Sequence, residues 1–402
     1  MGQTLSEPIT DKHTTTGQDA RFRFAASSMQ GWRISMEDAH ATILNLDHPG
    51  QTDSQQINAA NQQTNANHES VDKRFSFFAV YDGHGGSAVA KYSGTHLHNK
   101  IVQDPAFVKK DYRAAIKNAF LLIDVSLKTS PEYLADPAGC TAITCLITDD
   151  LTVYCGNAGD SRAVLSSNGD AVPLSFDHKP TNPDESARIV AGGGYVEYGR
   201  VNGNLALSRA IGDFEFKQNP VLPPEEQIVT VNPDIESRTL VPKQDDFIVL
   251  ACDGNVDLLS LSTLAHTFLQ LDTFAKSIYD KTTTGIWDCM SNDQVVDFVM
   301  SRIAEGHTLA DTSELIMEYC LAGDSDVGGV GCDNMTVIIV AILGDGKKIA
   351  LTYEEWVEQI KARWAAKEKK SQFPVKETRG VIGGGADTRG GSSRGLALVD
   401  DD

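Results

Sequence analysis

The sequence predicts a layered α+β domain, antiparallel sheets with helices packed outside them, on three observations. Strand-like segments follow one another with few helices between, an order that favours antiparallel pairing. Several segments are continuous apolar runs, "FFAVY", "IVLAC" and "TVIIVAIL", of the kind that form buried strands. Apolar residues make up 41% of 402, enough for a sizeable core in one large domain or two ordinary ones.

The elements follow in order. Residues 1–20 are polar and read as a flexible, extended or loose N-terminus. Residues 21–46 partly alternate apolar and polar, as two strands do. Residues 49–72 are rich in Gln, Asn and Ser with almost nothing to bury, and read as a disordered surface insertion. "RFSFFAVYDGHGG" is a buried strand running into a glycine-rich turn. Helical spacing covers 87–103 and 111–129, with Ile116, Phe120, Ile123 and Leu127 on one stripe. "CTAITCLIT", "LTVYCGNAGD" and "RAVLSS" are strands. "DESARIVAGGG" is a short helix closed by glycine. It is no phosphate cradle, because no G-x-x-x-x-G-K-[ST] is present. "QIVTVNPDIESRTL" and "DDFIVLACDG" return to strands. "SNDQVVDFVMSRIAEG" opens with a capping box from Ser291 to Gln294, and Asp311 with Glu314 predicts the same device for the next helix. "NMTVIIVAIL" is a last core strand and 353–370 a charged helix. The glycine-rich end from Gly380 reads as disordered.

Phe22, Phe24, Phe75 and Phe77 read as core packing. His96 and His98 read as surface residues. The seven cysteines form no C-x-x-C pair and read as reduced, structural thiols in an intracellular protein. Arg209 and Asp213 in "LALSRAIGD" read as residues that hold a loop together.

Acidic residues number 55 against 35 basic ones, a formal net charge of -20. That excludes nucleic acid as the main partner, since phosphate backbones need a basic face. Cations and basic protein segments remain attracted. No apolar run approaches the roughly 20 residues that span a bilayer. "MGQTLS" fits the Met-Gly-x-x-x-Ser pattern for myristoylation at Gly2, with a chance match equally open; one acyl chain would give only weak membrane contact.

The chemistry gathers at aspartates in one kind of setting. Asp82 follows "FFAVY", Asp160 follows "VYCGNAG", Asp253 follows "IVLAC" and Asp333 precedes "NMTVIIV". Glu37 and Asp38 sit between two early strands. Asp and Gly are good turn residues, which accounts for any one of these positions. It does not account for the set. Carboxylates gathered at strand ends repel one another unless a cation pairs them, and hard oxygen ligands suit Mg²⁺ or Mn²⁺.

The motifs "RISMEDAH", "VYDGHGG", "GDSRAVL", "DHKP", "LALSRAIGDF", "LACDG" and "CDNMTVIIV" occur in this order. Together they resemble the protein phosphatase 2C family of metal-dependent Ser/Thr phosphatases, across roughly residues 21–345, and most closely its fungal and animal cytosolic members. The resemblance implies a sandwich of two antiparallel sheets flanked by helices on both sides. It implies two Mg²⁺ or Mn²⁺ ions held by Asp82, the Gly83 carbonyl, Glu37, Asp253 and Asp333, with Asp38 on a metal-bound water. A third, weaker ion would lie at Asp160 and Asp288. Arg33 would bind phosphate, bidentately by guanidinium geometry, and His84 would protonate the leaving oxygen. The implied activity is hydrolysis of phosphoserine and phosphothreonine in proteins by a metal-activated water. Stress-activated or cell-cycle kinases are implied substrates, and a monomer in the cytoplasm, with the nucleus left open, is the implied form.

One segment breaks the pattern. The family sequence would run "LACDGIWDCMS", but the 31 residues 255–285 separate Gly254 from Ile286. Gly-Asn and Thr-Gly at its ends permit intron donor and acceptor codons, and excision would keep the frame. One reading is therefore a retained intron. Another is a genuine insertion, in which Asp257 keeps a four-residue spacing from Asp253 and replaces Asp288. A third is an insertion that blocks the site and leaves a phosphate-binding adaptor without turnover.

Overall fold

The strand Ser76–Tyr81 shows how the layers arise. In the computed structural model, which describes residues 4–46, 74–133, 136–253, 286–323, 331–347 and 350–372, all six of its residues are buried. Phe77, Ala79 and Tyr81 join one apolar cluster with Leu97, Ile101, Ile116 and Phe120. Phe78 and Val80 join another with Phe22, Phe24, Ile248 and Val340. Successive side chains of a strand point to opposite faces, so a strand without polar alternation has to be covered on both. Helices cover one face here and a second sheet covers the other.

The strands are β1 (Thr4–Gln18), β2 (Phe22–Arg33), β3 (Ala39–Ile43), β4 (Ser76–Tyr81), β5 (Gly83–His84), β6 (Gly139–Cys140), β7 (Ala142–Ile147), β8 (Thr152–Ala158), β9 (Arg162–Ser167), β10 (Asp170–Pro173), β11 (Val196–Glu197), β12 (Arg200–Val201), β13 (Ile211–Gly212), β14 (Asp234–Thr239), β15 (Asp245–Ala251) and β16 (Met335–Ile342). One sheet has the order β1-β2-β16-β15-β9-β10 and the facing one β14-β8-β7-β4-β3. A small sheet, β13-β6-β5, lies at the site described below.

Helices α1 (Ala88–Gln103) and α2 (Tyr112–Thr129) pack on the five-stranded sheet. α3 (Pro183–Ala191) lies in the segment between the sheets' strands. After the four-residue α4 (Ile286–Cys289), helices α5 (Asn292–Ala304), α6 (Leu309–Cys320) and α7 (Tyr353–Gln372) cover the six-stranded sheet. Val295, Val299, Ile316 and Trp356 meet Met29, Val249 and Ile339 there. The layer order is helix, sheet, sheet, helix, as the sequence and its resemblance imply.

Four local readings change. Thr4–Gln18 is no loose segment but an edge strand paired with β2. Its polar side chains are tied down individually: Thr14 Oγ1 meets Ser27 Oγ at 2.8 Å and Lys12 Nζ meets Glu318 at 2.8 Å. Its register is irregular between Thr4 and Lys12, which hides any period of two. The second capping box lies three residues earlier than expected: Thr308 is the N-cap and Asp311 the reciprocal acceptor. His98 is buried, its ring 6.0 Å from Phe77. The charged C-terminal helix forms where expected; it buries Trp356 and Ile360, and the Trp356 indole N–H donates to the Asp246 carbonyl at 2.8 Å. Of the strand expected over 227–240, only β14 forms. The expectations for residues 49–72, 255–285 (Asp257 included), the Gly380 tail and Gly2 fall outside the described residues.

Candidate active site

Antiparallel register carries the acidic residues to one end of the sandwich. Ala39 of β3 pairs with Tyr81 of β4, so Asp38 and Asp82 stand side by side just beyond the pair. Ala251 of β15 pairs with Val337 of β16, so Asp253 leaves at the end where Asp333 enters. Gly83 sits where a Cβ would run into the Glu37 carbonyl, a backbone approach only glycine permits. Asn334 clamps the Glu37 loop: its Nδ2 donates to Gln30 O (2.8 Å) and Ser35 O (3.0 Å), and its Oδ1 accepts from Glu37 N (2.8 Å).

The electrostatics show how close the carboxylates are. Burial, then Asp38, Asp333 and Asp160, push Asp82 well above the usual carboxylate range. Burial, against a hydrogen bond from Thr336, pushes Asp38 up to about 7. Burial also raises Asp160, to about 6, and Asp253 well above its ordinary value, although Lys179 lowers both. Asp38 Oδ1, Asp82 Oδ2, Asp160 Oδ1 and Asp253 Oδ1 are buried without a hydrogen-bond partner among the described residues. Buried carboxylate oxygens in that condition are costly unless a cation meets them.

Two side-chain cations already lie among them. The Arg33 guanidinium is 2.6 Å from Asp333 Oδ2, with its side chain still 31% exposed. Lys179 Nζ bridges Asp160 Oδ2 (2.6 Å) and Asp253 Oδ2 (2.9 Å). Among the described residues no three acidic, His or Cys side chains are drawn together into a ready-made ligand cluster. The donor set, oxygen-only and short of positive charge, nevertheless fits hard divalent ions.

Asp288, on α4, is close enough for its charge to raise Asp253 and Lys179. The indole N–H of its neighbour Trp287 donates to the Ala251 carbonyl at 2.9 Å, and Arg162 lies over the Trp287 ring. Arg162 in turn holds Asp177 through two bonds of 2.9 and 2.7 Å. His84 Nε2 is 2.8 Å from both carboxylate oxygens of Asp213, and His84 Nδ1 is buried without a partner among the described residues.

All ten residues expected at the site thus lie at this end of the sandwich. Lys179, Arg162, Asp177, Asn334 and the His84–Asp213 contact were missed. "DHKP" and "GDSR" carried a signal for the first three, a cation and an anion inside acidic motifs, but only the fold shows which charges meet.

Arg209 does hold its region together. It donates to Glu185 Oε1 (3.0 and 2.7 Å), Asn232 O (3.0 Å) and Asp234 Oδ1 (2.7 Å). Burial alone would raise the Glu185 carboxyl, but Arg209, Arg188 and the Ser208 hydroxyl outweigh it and hold it down at about 2. The stabilisation is therefore complete above the ordinary value of 4.5 and fades as pH falls toward 2. Glu185→Gln is expected to cost roughly 3 kcal/mol at neutral pH. It should also lessen the loss of stability on acidification. Urea unfolding from about pH 3 to about pH 7 checks this; parallel curves for the two proteins would contradict it.

Comparison with known proteins agrees with the fold and with the resemblance. A family model described as Protein phosphatase 2C matches residues 22–270 and 282–326, and its gap falls inside the anomalous 255–285 segment. The chain is 46% identical to Protein phosphatase 2C homolog 2 of Schizosaccharomyces pombe, over 90% of this chain and 83% of that protein. It is 44% identical to a probable protein phosphatase 2C of Caenorhabditis elegans, over 85% and 81%. Among solved structures, a phosphatase from Toxoplasma gondii superposes with a TM-score of 0.58 at 24% identity, covering 83% of this chain and 96% of that one, which bears on the fold. The chain belongs to the protein phosphatase 2C family.

Proposed function

We propose that this chain is a Mg²⁺- or Mn²⁺-dependent protein serine/threonine phosphatase that hydrolyses phosphoserine and phosphothreonine. The observation that carries the reading is the set of four buried carboxylates, Asp38, Asp82, Asp160 and Asp253, each with an unpartnered oxygen, beside a half-open arginine. Glu37, Asp82, the Gly83 carbonyl, Asp253 and Asp333 would hold two ions, with Asp38 beside them, and Asp160 and Asp288 a third. When bound, the ions supply positive charge for the phosphoryl group and acidify water for attack at neutral pH.

The side chains do the rest. Arg33 turns its exposed face to the incoming phosphate and offers a planar fork to two of its oxygens. Asp333, its present partner, keeps that fork at the mouth of the site. Asp38, held by Thr336 Oγ1 at 2.7 Å, accepts a proton from the attacking water. His84 delivers a proton to the departing serine or threonine oxygen, a poor leaving group without it. Lys179 fixes Asp160 and Asp253 against their mutual repulsion.

Phosphate release from a phosphothreonine peptide tests the proposal. Turnover should require added Mn²⁺ or Mg²⁺ and stop on chelation. A folded protein that binds the ions and releases no phosphate would overturn it.

A further inference from the structure

We propose that Asp213 is the positioning residue of the reaction: it holds His84 by Nε2, so that Nδ1 is the nitrogen that gives its proton to the leaving oxygen. This rests on the phosphatase reading above and on His84 as the acid.

The small sheet builds the contact. His84 of β5 pairs with Gly139 of β6, and Gly139 pairs with Gly212 of β13. The two outer strands are thus neighbours of one residue that has no side chain. A Cβ on Gly139 would collide with both the Asp213 carboxylate and His84 Nε2. The missing methyl is the space in which the two groups meet, at 2.8 Å to each carboxylate oxygen.

Asp213 is aimed rather than incidental. Its backbone is left-handed, with φ at +48°, a conformation uncommon outside glycine and best tolerated by Asn and Asp. The turn around it is pinned from below. Gly212 N–H donates to Asp124 Oδ1 at 2.9 Å, and Lys217 Nζ joins Asp124 Oδ2 (2.5 Å) to Ala210 O (2.7 Å). Asp124 and Lys217 are themselves buried. A surface-loop acid needs no such anchor.

The consequence is chemical. An imidazole ring has two nitrogens, and the partner of one decides what the other does. Nε2 gives its hydrogen to Asp213. Nδ1 is left buried without a partner among the described residues. As the P–O bond to the serine oxygen breaks and a water oxygen bonds to phosphorus, the proton on Nδ1 passes to the departing oxygen. Inorganic phosphate and a free hydroxyl result, and the neutral imidazole keeps Nε2–H on Asp213 until solvent returns a proton to Nδ1.

The test compares two leaving groups. A phosphothreonine peptide leaves as an alkoxide and needs the acid; p-nitrophenyl phosphate leaves as a stable phenolate and does not. Asp213→Asn suits the left-handed turn and cannot accept the imidazole N–H in the same bidentate way. For both Asp213→Asn and His84→Gln, kcat should fall about 10²-fold more on the peptide than on p-nitrophenyl phosphate. The double variant should be little worse than either single one, since the two act as a unit. Gly139→Ala, which wedges the pair apart while keeping Asp213, should show the same selectivity. A selective loss in His84→Gln with an equal loss on both substrates in Asp213→Asn overturns the Asp213 assignment alone. No selectivity in His84→Gln removes His84 as the acid, and the inference with it.

Discussion

Asp82→Asn is expected to abolish metal-dependent turnover of a phosphothreonine peptide, with kcat/KM lower by about 10³-fold or more, the scale of several kcal/mol of lost charge stabilisation. Asp82 is 4% exposed and sits among Asp38, Asp160 and Asp333. Without ions its negative charge is unfavourable there, which is why burial and those neighbours raise its pKa. The substitution should therefore leave the metal-free protein folded, with a melting temperature no lower than that of the parent. The rise in melting temperature on adding Mn²⁺ should disappear, because binding stabilises only the form that binds. Persistent activity in Asp82→Asn would mean that these carboxylates are not the metal site.

Removal of residues 255–285 is expected to give a folded and at least equally active enzyme. Both sides of the segment already meet: Trp287 donates to Ala251 at 2.9 Å, Ile286 is fully buried, and the Asp288 charge reaches Asp253 and Lys179. Joining Gly254 to Ile286 would shorten the connection between Asp253 and Ile286 by 31 residues, and for a connection of that length the closure entropy saved is worth up to about 3 kcal/mol. The deletion protein should then melt higher, and Asp288→Asn within it should weaken the third ion. Sequencing the messenger RNA across the codons for residues 250–293 gives the companion result; a transcript lacking the segment identifies it as an intron. If the deletion protein instead aggregates or loses turnover, the segment is part of the working enzyme, and Asp257 becomes the residue to substitute.

The core strands were legible because each is an apolar run long enough to be buried on both faces, as "SFFAVY" and "MTVIIVAI" show. β1 was not. An edge strand with polar residues on both faces carries no period of two, and two of its side-chain partners, Glu314 and Glu318, lie 300 and 306 positions away in the chain. The capping box at Ser291 is legible in the sequence, whereas the one at Thr308 is hidden because its own acid, Asp311, also looks like an N-cap. His98 looked like a surface residue because its helix is only weakly amphipathic; the position of Phe77 on β4 decides that it is buried.

The sequence by itself determined the acidic residues of the candidate site, their placement at strand ends, the family and the layered fold. These follow from local patterns: apolar runs, turn chemistry and motif order. Only the tertiary structure decided which charges pair. Lys179 meets Asp160 and Asp253, Arg33 meets Asp333 from 300 positions away, and His84 meets Asp213 from 129. Such pairs depend on strand register and on the absence of a side chain at Gly139, and a linear pattern carries neither, because electrostatic contacts act through space rather than along the chain.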